Sequence, residues 1–122
     1  MSTVTSFREL EVWQRAIELA VLAYQEVRRM PRPDQFALGT QLIGCSSSIA
    51  ANIAEGFGRV SRAEYLRFLD IANGSRCEFE SRLEVCKQAR VIEAETAGEL
   101  RMLSERVGQM LTRLRQRLRR PR

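Results

Sequence analysis

Apolar residues recur along most of this chain at alternating steps of three and four positions, which is the period of an amphipathic α-helix. The first such stretch predicts a helix over residues 7–30, with one apolar stripe through Trp13 and Ile17 and a second through Ala16 and Leu19. A helix that is apolar on two adjacent faces has more surface to bury than one neighbouring helix can cover. The pattern therefore indicates either a deep position in a helical bundle or contact with another subunit.

Three more stretches with the same period predict helices over residues 35–55, 62–89 and 95–119. Pro31 and Pro33 separate the first helix from the second, because proline lacks an amide donor and restricts the residue before it. Short connections between long helices favour antiparallel neighbours. The sequence therefore predicts one all-α domain, residues 1–122, folded as an antiparallel up-down-up-down four-helix bundle.

Polar residues mark the expected starts of the helices. Ser6 and Glu9 fit a capping box, in which the serine hydroxyl accepts from a first-turn amide and the glutamate reaches back to the serine amide. Ser61 and Glu64 fit a second capping box, before the third helix. Asp34 is expected to cap the second helix.

Four glycines carry expectations about turns and packing. Gly56 and Gly58 are expected to end the second helix through a left-handed cap. Gly44 and Gly74 lie inside predicted helices, where glycine costs about 1 kcal/mol relative to alanine. Close contact with a neighbouring helix is the expected compensation for that cost.

A set of six polar side chains surrounds the bend between the second and third helices: Asn52, Glu55, Arg59, Asn73, Ser75 and Glu78. Asn52 and Glu55 are three residues apart and share a face of the second helix, and Ser75 and Glu78 share a face of the third. An antiparallel hairpin would bring these two faces together. The set is interpreted first as a satisfied polar network that fixes the register of the hairpin. Two alternatives stay open, namely a subunit interface and a ligand-binding site.

The net charge of +5 belongs entirely to the C-terminal end of the chain. The last ten residues contain no acid and six arginines, whereas the rest of the chain carries 14 basic and 15 acidic side chains. Attraction to phosphate is the functional interpretation of this tail. Because no aromatic residue is interleaved with the arginines, base stacking is not indicated and binding should have little sequence specificity. The expected nucleic-acid contacts are Arg113, Arg115, Arg117, Arg119 and Arg120.

Two other interpretations of the arginine tail stay open. The tail can be a solvated helix end, since the C-terminus of a helix favours cations. It can also lie on an anionic membrane surface with Leu111, Leu114 and Leu118 as apolar contacts, although these leucines fit the core stripe better. No apolar run approaches the ~20 residues that a membrane span needs, and no membrane partner is expected.

The residues point away from catalysis. The chain has no histidine, which removes Ser-His-Asp and Cys-His nucleophile arrangements and the commonest transition-metal ligand. No glycine-rich phosphate-binding loop is present. Cys45, Cys77 and Cys86 are expected to be small buried packing residues. No catalytic residue, metal or cofactor is therefore expected, and the odd cysteine count without a secretion signal predicts a cytoplasmic protein.

Several segments, taken in order, resemble a known family. They are FRELEVW at residues 7–13, SI and NIAEG within 48–56, GR at 58–59 followed by Ser61, and FL, IANGS and Glu78 within 68–78. Together they resemble the bacterial four-helix-bundle proteins first known as products of intervening sequences in large-subunit ribosomal RNA genes. The accessory proteins of diversity-generating retroelements are similar.

The resemblance implies an antiparallel four-helix bundle that assembles as a homopentamer, with a basic surface for RNA or DNA and no established enzymatic activity. This chain departs from the family pattern at two places. Family members often carry arginine where it has Ile43 and Gly44, and proline where it has Ala50. The case for a nucleic-acid interface on the second helix is therefore weaker. The positive charge of this chain lies in the tail instead.

The sequence as a whole predicts a non-enzymatic, homopentameric bundle that binds RNA or DNA with low specificity through its arginines. The expected partners are other copies of the chain and nucleic acid. The alternative is a protein-interaction scaffold that presents a groove to a partner protein and has no nucleic-acid role.

Overall fold

The computed structural model describes residues 4–120, and the regular structure in that range is entirely helical. Turns of two to five residues connect the long helices. The four helices are α1 (Glu11–Arg29), α2 (residues 32–57), α3 (Arg62–Gln88) and α4 (Ala94–Arg119).

The helices pack as a ring of antiparallel neighbours. Helix α1 contacts α2 and α4, and α3 contacts the same two helices from the opposite corner. The seam between α2 and α3 is the most extensive one. The predicted up-down-up-down four-helix bundle is therefore confirmed.

Each helix contributes one apolar stripe to a common core. On α1 the buried stripe runs through Ala16, Leu19 and Ala23, which is the second of the two stripes that the sequence offered. The largest fully buried aliphatic and aromatic side chains come from all four helices: Leu19, Leu42, Ile49, Ile53, Leu69, Phe79, Val107 and Leu111. No helix within residues 4–120 has a segment long and apolar enough to cross a membrane.

The other stripe of α1 leaves apolar side chains at the surface. Ile17, Val21 and Tyr24, which we call the α1 apolar face, are 36%, 48% and 49% exposed. They lie away from α4, since the opposite side of α1 lines grooves with that helix. Phe36, near the start of α2, is 72% exposed.

The chain enters α1 through a 3-10 turn, so the predicted helix start at residue 7 is wrong. Phe7–Glu9 forms that turn, and Leu10 is extended (φ −75°, ψ 122°) before α1 begins at Glu11. This break allows the Phe7 ring to pack edge-on against Trp13, with ring centroids 5.1 Å apart. A local contact between two rings six residues apart thus accompanies the interruption of the helix.

The predicted capping box at this end forms only in part. The Arg8 amide donates to Ser6 Oγ at 3.2 Å, which is a simple N-cap bond, whereas a capping box uses the amide of Glu9. The carboxylate of Glu9 instead accepts from the Thr5 hydroxyl at 2.8 Å. The second predicted box begins as expected, because the Glu64 amide donates to Ser61 Oγ at 3.1 Å.

Helix α2 begins three residues earlier than predicted, and Asp34 is not its cap. Asp34 has helical dihedral angles (φ −72°, ψ −29°), and the cap position belongs to Pro31. Proline near a helix start is tolerated because its missing amide would have no partner there anyway. The helix then passes through a π-helical segment, Gln35–Gly39, before the regular α-helix Thr40–Phe57.

The expected left-handed cap after α2 is absent from the structure. Gly58 has φ −78°, and its amide donates to the carbonyls of Ala54 and Glu55, both at 3.2 Å. A left-handed residue occurs instead at Arg90 (φ 63°), in the turn between α3 and α4. The Val91 amide there donates to the Cys86 carbonyl at 3.0 Å, the long bond of a Schellman motif.

Two glycines that were expected to allow close helix contact do not do so. A Cβ atom built on Gly44 or Gly74 would have nothing within 4 Å. Both positions are exposed, because they lie on the outward side of the α2–α3 seam. The close approach occurs at Gly56, where a Cβ would lie 2.8 Å from Phe68 Cβ.

Candidate nucleic-acid interface

Antiparallel packing brings the starts of α1 and α3 together with the ends of α2 and α4 at one end of the bundle. The Arg62 guanidinium donates to the Arg120 carbonyl at 3.3 Å, which joins the start of α3 to the end of α4. We call this the arginine end because of the side chains that α3 and α4 place there: Arg62, Arg113, Arg115, Arg117, Arg119 and Arg120. Arg122, the sixth arginine of the tail, lies outside the described residues.

The five predicted arginines fall on two sides of α4. Successive helical residues are about 100° apart, so Arg113, Arg117 and Arg120 share one side while Arg115 and Arg119 lie opposite. The first side faces α1, since Arg113 and Arg117 line a groove with that helix. The second side faces α3. Alternation of arginine along the sequence therefore does not produce one continuous surface.

Arg115 is engaged in an ion pair within the bundle. Its Nε lies 2.9 Å from Asp70 Oδ1 on α3, and its side chain is only 25% exposed. The pair is partly open to solvent, so its contribution to stability is small, about 0–1 kcal/mol. Its consequence for binding is larger, because an arginine already paired with a carboxylate is less available to phosphate.

A groove separates the start of α1 from the end of α4. Its floor is apolar, and its two rims carry charges of opposite sign. Glu11 lies on the α1 rim, and two exposed arginines lie on the α4 rim. The lining residues are Leu10, Glu11, Val12, Met110, Arg113, Leu114 and Arg117, which we call the α1–α4 groove. Among residues 4–120, no ion pair joins Glu11 to either arginine.

Near the same end, α3 contributes a tyrosine whose acidity is changed by its surroundings. Burial raises the pKa of Tyr65, and the positive charge of Arg117 acts in the opposite direction. The Tyr65 ring packs edge-on against Phe57, with centroids 6.1 Å apart. The tyrosine therefore remains protonated at neutral pH and serves as a packing residue beneath the arginine end.

The structure brings together only part of the predicted polar network. Asn52 Nδ2 donates to the Ser48 carbonyl at 2.8 Å and to Ser48 Oγ at 3.0 Å. Ser48 Oγ and Ser75 Oγ share a hydrogen bond of 2.9 Å across the α2–α3 seam. Since Ser48 Oγ accepts from Asn52, its own proton is free to donate to Ser75. Ser48 is thus the central member of this network, although it was not among the six predicted residues.

The charged members of the set pair locally along their own helices. Arg59 donates to Glu55 at 2.8 Å, and its guanidinium lies 4.7 Å from the centroid of the Phe68 ring. Glu78 accepts from Arg82 at 2.9 Å. These pairs span one helical turn and are substantially exposed. They therefore do not join the hydrogen bonds of Asn52 and Ser75 into a single network.

Asn73 belongs to a different network, between α3 and α4. Its Oδ1 accepts from Arg76 Nε at 3.0 Å, and Arg76 also pairs with Glu80. Fully buried Ser104 donates to Glu80 at 2.7 Å. Asn73 and Ser75 are two residues apart, which places them on different sides of a helix. A serine and Gly108 within the apolar stripe of α4 were the sequence signals for this network.

The cysteines are separated by the fold, and one of them departs from expectation. Cys45 and Cys86 are buried, whereas Cys77 is exposed. Burial is the main cause that raises the pKa of Cys45 to about 11, with the nearby Glu78 carboxylate adding to the rise. Burial also raises the pKa of Cys86. Within the described part of the chain, no group of three or more acidic or cysteine side chains could hold a metal.

Residues 8–113 match the family model described as 23S rRNA-intervening sequence protein. The chain belongs to this family. Its fold is similar to the crystal structure of a protein of unknown function from the S23 ribosomal protein family of Bacteroides thetaiotaomicron VPI-5482. That similarity has a TM-score of 0.81 over 86% of this chain and 95% of the other, with 24% identity. No curated protein matches the sequence.

The match to the 23S rRNA-intervening sequence protein family ends at residue 113, before most of the arginine tail. Arg115, Arg117, Arg119 and Arg120 therefore lie beyond the matched segment. Helices α1 to α3 and most of α4 lie within it. The family match thus supports the bundle, while an interface at the arginine end has to be argued from this chain's own charges.

Proposed function

We propose that this 23S rRNA-intervening sequence protein is a non-enzymatic homo-oligomer that binds RNA or DNA with low sequence specificity. The observation that carries the proposal is the clustering of exposed arginines at the arginine end. Arg113 and Arg117 project on the same side of α4, and within residues 4–120 neither takes part in an ion pair. The family's description supports a ribosomal RNA context.

Phosphate contact fits this surface for two reasons. Arginine presents a planar fork of donors that matches phosphate oxygens. An oligomer would also present several arginine ends at once, so that weak contacts add through avidity. The residues that line the α1–α4 groove beside these arginines include no aromatic side chain, which agrees with binding that has little sequence specificity.

A mobility-shift titration with generic RNA and DNA at two salt concentrations tests this function. We compare the wild type with Arg113→Gln/Arg117→Gln and with Arg32→Gln/Arg90→Gln, which removes the same charge at the opposite end of the bundle. The first variant should bind at least about tenfold more weakly, and the second should stay within about threefold of the wild type. Absence of binding at low salt, or equal losses in both variants, would reject the arginine end as the interface.

The α1 apolar face supports self-association. Ile17, Val21 and Tyr24 together expose more apolar surface than scattered single residues do, and contiguous exposure of this kind marks interaction sites. The outward side of α2, by contrast, carries only small side chains at the exposed positions Gly44 and Ala51. A face with large apolar side chains and a different face with small side chains can pack against each other in a head-to-tail contact between subunits. Such contacts form a closed ring when the rotation from one subunit to the next is an integral fraction of a full turn. We propose that the ring is a homopentamer.

Light scattering tests the assembly. The wild type should have a mass of five subunits, and Ile17→Glu should lower that mass while leaving the helical circular dichroism unchanged. Gln25→Glu, which adds a negative charge to an exposed position of the same helix, should not. A monomeric wild type would contradict self-association, and another closed number would correct only the stoichiometry.

A protein-interaction scaffold without a nucleic-acid role is the second candidate, favoured by the exposed Phe36 ring. In that case a specific partner would stay bound after nuclease treatment, and Phe36→Ser would release it. We place either function in the cytoplasm, where the three free cysteines would remain reduced.

A further inference from the structure

The α1–α4 groove has more chemistry than contact with a phosphate backbone requires. It combines two arginines on one rim, a carboxylate on the other rim and an apolar floor between them. We propose that the groove holds one unpaired nucleotide, and that the protein consequently prefers single-stranded to double-stranded nucleic acid. This inference rests on the proposed nucleic-acid function and specifies the form of its ligand.

The arginine rim provides the phosphate contact. Arg113 and Arg117 are four residues apart, so their Cα atoms are separated by about 6 Å along the axis of α4. Both side chains are exposed and line the same groove. Two guanidinium groups at this spacing can donate to one phosphate from either side, or to two successive phosphates of a flexible strand.

The floor of the groove consists of apolar side chains. Val12 and Leu114 are only 5% and 7% exposed, and Leu10 and Met110 are half-buried beside them. The groove has a volume of about 120 Å³. For comparison, an engineered apolar cavity of about 150 Å³ holds a benzene molecule. A pyrimidine ring would therefore insert only partly, with its remaining edge open to solvent, and the polarisable sulfur of Met110 suits an aromatic face.

The carboxylate rim gives the groove a direction. Glu11 would repel a phosphate, but it can accept a hydrogen bond from a ring N–H or an exocyclic amino group of a base. A nucleotide placed with its phosphate at the arginines and its base toward Glu11 satisfies both rims. Glu11 also lies in the first turn of α1, where the helix dipole stabilises a negative charge.

A duplex cannot use this arrangement, because its bases are stacked and paired and its outer surface offers sugar and phosphate. It would contact the arginines and leave the apolar floor empty. The bases of a single strand can be splayed out and laid against protein surfaces. The preference for single strands follows from this difference.

The test uses one pyrimidine-rich strand, free or annealed to its complement, with fluorescence anisotropy at the same salt concentration. The free strand should bind the wild type about fivefold more tightly or better. Met110→Gln and Glu11→Ala should each reduce the ratio of single-strand to duplex affinity toward one. Glu9→Ala is the matched control for Glu11, because it removes a negative charge at the same end without lining the groove.

Circular dichroism melting confirms that each variant is folded, and Glu11→Ala keeps the test valid if the half-buried Met110 cannot be replaced. Equal wild-type affinity for both forms would overturn this inference while leaving the proposed nucleic-acid function intact. Failure to bind either form would overturn both. If the ratio changes equally in Glu11→Ala and Glu9→Ala, the effect is due to overall charge, and the α1–α4 groove is rejected as the nucleotide site.

Discussion

At the scale of single residues, the glycines of this bundle are distinguished by the space around them. Gly56 is buried at the end of α2, where the Phe68 and Tyr65 side chains leave no room for a Cβ. Gly44 lies in the same helix and faces outward with nothing near it. Both glycines lie within α2, and only the neighbouring helix makes Gly56 necessary.

Gly56→Ala should lower the free energy of unfolding by about 1–3 kcal/mol, because the added methyl group must displace Phe68 or the α3 backbone. Gly44→Ala is the matched control and should raise it by up to about 1 kcal/mol through helix propensity alone. Urea denaturation measures both. The same sign for the two substitutions would contradict the packing assigned to Gly56.

The three thiols should differ in reactivity. Burial holds the pKa of Cys45 at about 11, above its ordinary value, so very little thiolate forms there at pH 8, and burial also raises the pKa of Cys86. Cys77 is exposed. We expect a thiol reagent to modify the native protein once, at Cys77, as detected by mass spectrometry of peptides. Modification of Cys45 at a comparable rate would show that the α2–α3 seam opens.

The raised pKa of Cys45 also predicts a pH dependence of stability. The folded protein retains the thiol proton between its ordinary pKa of 9.0 and its native value near 11, while the unfolded chain loses it. Stability should therefore be unaffected by this group below pH 9 and decline as the pH rises from 9 to 11. Cys45→Ala should weaken that decline in thermal melts, whereas Cys77→Ala should leave it unchanged.

At the scale of helices and their seams, a set of hydrogen bonds between two helices and an ion pair within one helix differ in what they contribute to stability. Asn52 and Ser48 join α2 to Ser75 of α3 through half-buried hydrogen bonds. Glu78 pairs only with Arg82, one turn away on the same helix and largely in solvent. Polar groups that cross a seam contribute to register, whereas an exposed pair along one helix contributes little.

Asn52→Ala should accordingly cost about 1 kcal/mol of stability, because Ser48 loses a donor and the bridge to Ser75 is weakened. Glu78→Ala should cost less than about 0.5 kcal/mol. Thermal melts of the two variants give the comparison. A larger loss in Glu78→Ala would mean that this carboxylate acts in the assembled oligomer and not within one chain.

The turn between α3 and α4 stores a small amount of strain at Arg90, which has φ 63°. Left-handed geometry costs a residue with a Cβ about 1–2 kcal/mol, and glycine avoids most of this cost. Arg90→Gly should therefore raise stability by about 0.5–1 kcal/mol. Arg90→Ala, which removes the charge but keeps the Cβ, should not. Equal effects of the two substitutions would assign the change to charge.

At the scale of the whole molecule, the charge is unevenly distributed between the two ends of the bundle, and any binding to phosphate should depend steeply on salt. Each phosphate neutralised contributes about −0.9 to the slope of log K against log salt for duplex DNA. Arg113→Gln/Arg117→Gln should therefore flatten the slope by about 1.8 if one subunit is engaged, and by more if several are. Anisotropy titrations over a salt series give this slope. An unchanged slope would mean that neither arginine contacts phosphate.

The bundle and its helix lengths were predictable because helical period, proline breaks and capping serines act within a few residues. Helices α3 and α4 lie within one residue of their predicted bounds. The start of α1 was not predictable in this way, because Leu10 is apolar and in phase with the stripe of α1 although its backbone is extended and interrupts the helix. The candidate site was predicted as a set of arginines, but the ion pair of Arg115 with Asp70 depends on a helix far away in sequence.

The sequence by itself determined that four amphipathic helices would form and that the positive charge would lie at the end of the last one, since periodicity and composition are local properties. The tertiary structure decided which stripe of α1 entered the core, since either stripe is apolar enough and only the fit against α2 and α4 distinguishes them. It also divided the arginines between two seams and placed Glu11 opposite two of them. Such relations depend on distances between helices, which no single segment of the chain contains.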